Sequence, residues 1–266
     1  MSAEIAAFFD LDGTLMPLPS LERRFSRMLR DRREIPLKNW FLWLREARKR
    51  LPRGIRAAAG ANKMYLSGVK SFDETSTGNP SDSTVRTSGH QDEGRASKPP
   101  KHNPRSPVPR FFEEGVERVT CHAMLGHSVV LVSGTLEPLA KAAARALEGA
   151  IAARGFSRRI RVCATRLEEV NGQWTGETRG EPIVGEAKAR VLGALAEEMH
   201  LDLSQCWAYG DSAEDRWMLA AVGNPVATNP TFGLRRIARK RGWPILRTTD
   251  RVLITQNLLP QAERCA

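Results

Sequence analysis

Phe8-Phe9-Asp10-Leu11-Asp12-Gly13-Thr14-Leu15-Met16 places two carboxylates one residue apart at the end of an apolar run. Side chains alternate along a strand, so residues 10 and 12 of an extended segment leave it on the same side. Two like charges held that close repel unless a cation or a shared proton relieves them. The pair therefore predicts a divalent metal, although Asp-x-Asp also occurs in loops without function. Gly13 allows a sharp backbone turn beside whatever occupies the site, and Thr14 offers a hydroxyl to steady it.

Three further stretches carry chemistry-bearing residues in the same style. Val129-Val130-Leu131-Val132-Ser133-Gly134-Thr135 is an apolar strand ending in a hydroxyl and a glycine, with a helix expected from Glu137-Pro138. Gly185-Glu186-Ala187-Lys188-Ala189-Arg190 sets a lysine at the start of a helical stretch. Trp207-Ala208-Tyr209-Gly210-Asp211-Ser212-Ala213-Glu214-Asp215 gives a third strand, ending in Gly-Asp-Ser-x-x-Asp.

In this order the four segments resemble the motifs of the haloacid dehalogenase superfamily, phosphotransferases with an aspartate nucleophile. The closer likeness is to the phosphoserine-phosphatase-like branch, subfamily IB, in which a helical cap is inserted between the first and second motifs. That resemblance implies roles, position by position. Asp10 is the nucleophile that forms an aspartyl-phosphate; Asp12 is the general acid and then the general base. Ser133, the Gly134 amide and Lys188 hold the transferring phosphate oxygens. Mg2+, a hard cation suited to oxygen ligands, is bound by Asp10, the Asp12 main-chain carbonyl and Asp211, with Asp215 supporting the set through water or hydrogen bonds. Phosphoserine phosphatases of this type hold the substrate amine and carboxylate with a Glu at the start of the cap and an Arg. Here the nearest acid, Glu22, lies farther along than that pattern places it, beside Arg23 and Arg24. The three face either the substrate or solvent.

The elements that must position these residues follow from periodicity. Strands are expected over 4–10, 128–133, 160–165, 205–209 and 225–227, and helices over 20–33, 37–50, 55–70, 111–125, 137–154, 186–200 and 213–222. Asn171-Gly172 predicts a hairpin turn between Leu167-Glu168-Glu169-Val170 and Gln173-Trp174-Thr175. Strands alternating with helices imply an α/β fold, a Rossmann-like doubly wound parallel sheet with chemistry at the strand carboxyl ends. The core is assigned to residues 1–16 and 111–266, and the helical cap to 17–74. Residues 75–110 are rich in Ser, Thr, Gly, Pro and charge, too poor in apolar side chains to offset ordering entropy, and are read as a disordered insertion. Trp40, Trp43, Leu44 and Ala47 recur at helical spacing and are expected to pack on neighbouring cap helices.

At 266 residues and 41% hydrophobic content, the chain suits one substantial core and a smaller insert. Its longest apolar runs fall far short of the ~20 residues a spanning helix needs, and acids at Glu4, Asp10 and Asp12 argue against a secretory leader, so a cytoplasmic location is expected. Cys121, Cys163, Cys206 and Cys265 lack metal-binding spacing and read as reduced. His122 and His127 are expected in a solvated or capping role. The net charge of +11 favours anionic partners generally. Most of the arginines read as solvated helix faces, and no stacking-aromatic or recognition-helix signature points to specific nucleic-acid binding. The leading expectation is a phosphomonoesterase for a small phosphorylated metabolite. One alternative is a lipid-phosphate phosphatase held at an anionic membrane surface through Trp40, Phe41, Trp43 and adjoining basic residues. Another is a non-catalytic phospho-responsive module such as a receiver domain. Receivers resemble this core but carry their aspartate on a middle strand and lack an Asp two residues later. Oligomeric state is not encoded in any of these features.

Overall fold

The computed structural model describes residues 4–50, 62–71, 109–249 and 251–254. Its strands are β1 (Ala6–Phe9), β2 (Arg110–Phe112), β3 (Ser128–Leu136), β4 (Ile160–Thr165), β5 (Leu167–Val170), β6 (Gln173–Thr178), β7 (Trp207–Gly210), β8 (Asn224–Thr228), β9 (Ile245–Leu246) and β10 (Val252–Ile254). Its helices are α1 (Leu21–Asp31), α2 (Leu37–Arg50), α3 (Glu113–Met124), α4 (Glu137–Ala152), α5 (Glu186–Met199), α6 (Arg216–Ala220) and α7 (Phe232–Arg241).

Six strands form one sheet in the order β4-β3-β1-β7-β8-β9, parallel at every pairing. Parallel strands covered on both faces need apolar residues at every position, which is why β1 reads as a continuous run and all four of its residues are buried. Ala7 and Phe9 join one core cluster with Val129, Leu131 and the α3–α4 side chains. Ala6 and Phe8 join a second, with Val130, Val132 and Leu192 of α5. The chain leaves β1 for β3 on one side and returns to β7 on the other. β1 is thus the switch point, where a crevice opens beyond the strand carboxyl ends.

Above that crevice lie α1, α2 and residues 62–71. Ser20 caps α1 by accepting from the Arg23 amide, and Leu21, Phe25 and Leu29 bury its inner face. The buried Asn39 on α2 donates to the carbonyls of Tyr65 and Ser67, at 3.1 and 2.6 Å. The segment then reaches the antiparallel β5–β6 hairpin through Gly68 N–H to Trp174 O and Trp174 N–H to Val69 O.

Several expected boundaries move. β1 stops at Phe9, and Glu4 makes only an isolated bridge to Leu201. The helix expected from 111 starts at Glu113, because Arg110–Phe112 pairs antiparallel with Val252–Ile254. That pairing and the buried Phe111 also order the last residues of the stretch read as disordered; its residues 75–108, like positions 55–61 of the expected third helix, lie outside the described residues. Positions 64–66 form a 3-10 turn. The helix expected over 213–222 is a 3-10 turn, Ala213–Asp215, followed by the short α6, because Asp215 closes a capping box with Ser212. On α2, Trp40 stacks on Tyr65, but Leu44 is 52% exposed and not packed as expected. Among the described residues no helix is long and apolar enough to cross a membrane.

Candidate active site

The residues that follow β1 and β7, together with Ser133 and Gly134 of β3, meet at the switch point. Asp10 is fixed by its own amide, which donates to Tyr209 O of β7 at 2.9 Å. Its side chain follows the Phe8 face toward α5. Gly185, at φ +58°, turns the chain into α5 and puts Lys188 in the first turn. There the Lys188 Nζ donates to Asp10 Oδ1 at 2.5 Å and to Asp215 Oδ1 at 2.6 Å, all three groups being buried. Asp215 is held from its other side as well, Oδ2 accepting from the Ser212 amide and hydroxyl at 2.9 and 2.8 Å.

Asp211 is buried, yet no described residue donates to its carboxylate, while its main-chain oxygen accepts from Thr231. Gly13 explains how Asp211 fits. At φ +90° it takes a turn other residues resist, and a Cβ there would lie 2.5 Å from Asp211 Oδ2. Carboxylate oxygens of Asp10, Asp211 and Asp215 come within 4.8 Å of one another.

This all-oxygen cluster fits a hard divalent cation. Three buried carboxylates surround one ammonium, so the cluster is net negative when fully ionised. Burial raises the proton affinity of Asp10, with Lys188 opposing and Asp215 adding to it. Burial and the charges of Asp10 and Asp215 do the same to Asp211. Burial alone would lower the Lys188 ammonium, but Asp10 and Asp215 outweigh it and raise it. For Asp10 and Asp211 alike, burial is the largest cause, neighbouring carboxylates add to it and Lys188 opposes it.

Asp12 is handled differently. Its chain has already left the sheet, so strand alternation no longer governs it, and its carboxylate is not part of the trio. Oδ1 accepts from the Leu21 amide at the start of α1, at 2.7 Å, and Oδ2 from the Thr135 hydroxyl at 2.8 Å. Burial raises its proton affinity against those two donors. Asp12 still lines the same cavity as Asp10, Ser133, Gly134, Lys188 and Asp211, a space of about 730 Å³ closed on its other side by α1 and α2. Ser133 Oγ accepts from the Thr135 amide at 3.2 Å, and Gly134 packs so tightly that a Cβ would lie 2.8 Å from Val184. The hydroxyl of Thr14, expected to steady the site, is buried without a hydrogen-bond partner among the described residues.

Sequence reasoning missed three participants. Thr135 sits in a motif already noted, but only the fold turns its hydroxyl to Asp12. Lys63 and Tyr65 converge on Glu22: Lys63 Nζ donates to both carboxylate oxygens at 2.7 and 2.6 Å, and the Tyr65 hydroxyl donates at 2.6 Å. Glu22 is therefore on neither a solvated face nor an unpartnered substrate wall. Arg24, grouped with solvated arginines, is 1% exposed, because it lies on the inner face of α1 beside Phe25. His122 is buried rather than solvated, with Nε2 2.8 Å from the Tyr209 hydroxyl and Nδ1 2.9 Å from His127 Nδ1.

Comparison with known proteins adds to this geometry. A profile of haloacid dehalogenase-like hydrolases matches residues 7–220. A probable phosphatase of Mycobacterium tuberculosis is 38% identical over 139 residues, which cover 52% of this chain and 45% of that protein. The phosphoserine phosphatase SerB1 of the same organism is 39% identical over 133 residues, covering 50% and 40%. The chain thus spans less than half the length of these curated relatives. A solved structure from Bordetella pertussis Tohama I, of unknown function, superposes with a TM-score of 0.61 at 25% identity, covering 92% of this chain and 99% of that one.

Proposed function

The chain belongs to the haloacid dehalogenase-like hydrolases, and we propose that within that family it is a phosphomonoester hydrolase acting through an aspartyl-phosphate on a small phosphorylated metabolite. The observation that carries this reading is the division of labour between Asp10 and Asp12. One is embedded in a lysine-carboxylate cluster, and the other is held apart from it by the Leu21 amide and the Thr135 hydroxyl.

In the first half-reaction an Asp10 oxygen attacks phosphorus, the bond to the leaving oxygen breaks, and Asp12 delivers its proton to that oxygen. In the second, Asp12 takes a proton from water, whose oxygen attacks phosphorus and releases Asp10 and inorganic phosphate. Lys188, the Ser133 hydroxyl and the Gly134 amide neutralise and orient the transferring oxygens. Asp10, Asp211 and Asp215, with the Asp12 carbonyl, would hold Mg2+, which neutralises phosphate charge when bound. Asp10→Asn tests the reading: turnover of phosphomonoesters should vanish, together with an acid-stable mass increment on the Asp10 peptide after quenching. Retained turnover in a clean preparation overturns it.

A second reading, action on a lipid phosphate at an anionic membrane surface, draws on one observation. Leu37, Phe41 and Leu44 of α2 are 81%, 75% and 52% exposed at one-turn spacing, beside the exposed Lys38, Arg45 and Arg48. Failure to sediment with phosphatidylserine vesicles at low salt removes it.

A further inference from the structure

Resting on the phosphatase reading, we propose that the substrate's alcohol carries an anionic group of its own and that Arg23 and Arg27, with Arg30 beyond them, select for it. α1 starts at Leu21, whose amide holds Asp12, so the helix begins beside the acid that serves the leaving oxygen. Arg23, Arg27 and Arg30 all line the cavity. Spaced at i, i+4 and i+7, they rise about 6 and 10 Å along the helix from the first to the third, a cationic ladder leading away from the reaction centre.

The charge balance of that wall decides its preference. Arg23 and Arg27 make no ion pair with a described residue, and Arg30 meets only the exposed Asp31, at 3.3 Å. The acid among them, Glu22, is matched by the buried Lys63 and hydrogen-bonded by Tyr65, so it presents no unmatched carboxylate to a substrate ammonium. Glu214, also on the lining, belongs to the turn that carries Asp215 on the core side. A second phosphate or a carboxylate on the leaving group is therefore matched by guanidinium forks, and an ammonium is repelled. Trp40 and Trp43 line the same space and give it an aromatic wall suited to a flat portion of the alcohol.

Three aryl esters of similar shape isolate the charge: 4-carboxyphenyl phosphate, phenyl phosphate and 4-(aminomethyl)phenyl phosphate. In the intact protein with Mg2+, kcat/KM should be about tenfold higher for the carboxylate than for phenyl phosphate and about tenfold lower for the amine, the scale of one charge-assisted contact. Arg23→Gln/Arg27→Gln should bring the carboxylate-to-amine ratio close to one, whereas Arg236→Gln/Arg239→Gln, equal in charge removed but outside the cavity, should keep it. A wild-type ratio near one, or a ratio that survives loss of Arg23 and Arg27, overturns the inference and leaves the phosphatase reading standing. Absence of turnover with all three esters overturns both.

Discussion

Replacing Lys188 by Met keeps most of the side chain's length and removes only the charge that Asp10 and Asp215 share. Its Nζ lies 2.5 and 2.6 Å from those two carboxylates, whose side chains are 9% and 1% exposed. Breaking a buried pair by deleting one partner typically costs about 3–5 kcal/mol, because the remaining charge is uncompensated. For a chain of this size each kcal/mol moves the melting temperature by about 2–4 °C, so metal-free Lys188→Met should melt about 6–20 °C below the wild type. Added Mg2+ should recover more stability in the variant than in the wild type, since its cluster carries one more negative charge and a cation that binds only the folded state stabilises it by mass action. Activity should nonetheless fall by about a hundred- to a thousandfold, the scale of removing one preorganised charge stabiliser. Differential scanning fluorimetry with EDTA and with Mg2+, alongside phosphate-release kinetics, reads all three quantities. A metal-free melting temperature within 2 °C of the wild type, or activity within about tenfold of it, refutes the shared-charge account of this cluster.

Gly13→Ala forces a Cβ to within 2.5 Å of Asp211 at a backbone angle L residues resist; Mg2+ affinity by calorimetry should weaken about ten- to a hundredfold, and unchanged affinity would remove Asp211 from the metal set. His122 titrates at about 4 in the folded protein, lowered by burial, His127 and Arg118, with the Tyr209 hydroxyl at its Nε2. A histidine with a depressed pKa contributes stability at pH above about 6.5 that is lost as pH falls toward 4, by no more than about 3 kcal/mol, so the difference in urea midpoint between the wild type and His122→Gln should shrink from pH 7.5 to pH 5. A difference that stays constant contradicts a neutral buried histidine. Lys63→Met strands the Glu22 carboxylate and should cost about 2–3 kcal/mol in urea unfolding, most of it recovered in Lys63→Met/Glu22→Leu; a double variant no more stable than the single one argues against the pair.

What sequence alone revealed follows the range over which the physics acts. β1, β3 and β7 are legible because burial on both faces leaves a continuous apolar run; Asp10, Lys188 and Asp211 are singled out through the family resemblance of their motifs, and the fold brings them to one crevice. Glu22 is ambiguous in sequence because its partners lie 41 and 43 residues away, in a stretch whose pattern reads as a separate helix over 55–70. His122 was misjudged for the same reason, since only the return of the chain 87 residues later brings the Tyr209 hydroxyl to it. Arg110–Phe112 reads partly as disorder and partly as helix in sequence, because its strand character depends on pairing with Val252–Ile254.

One short contact ties substrate reading to proton delivery. The amide of Leu21 is both the first link of the arginine-bearing helix and the donor to Asp12 Oδ1. On the proposed reading, a ligand that displaced this helix would lengthen that bond and change how readily Asp12 surrenders its hydrogen. Under the proposed roles an ill-matched ester would be disadvantaged twice, gripped less firmly and given a poorly aimed proton, and discrimination should be felt in kcat as well as in KM.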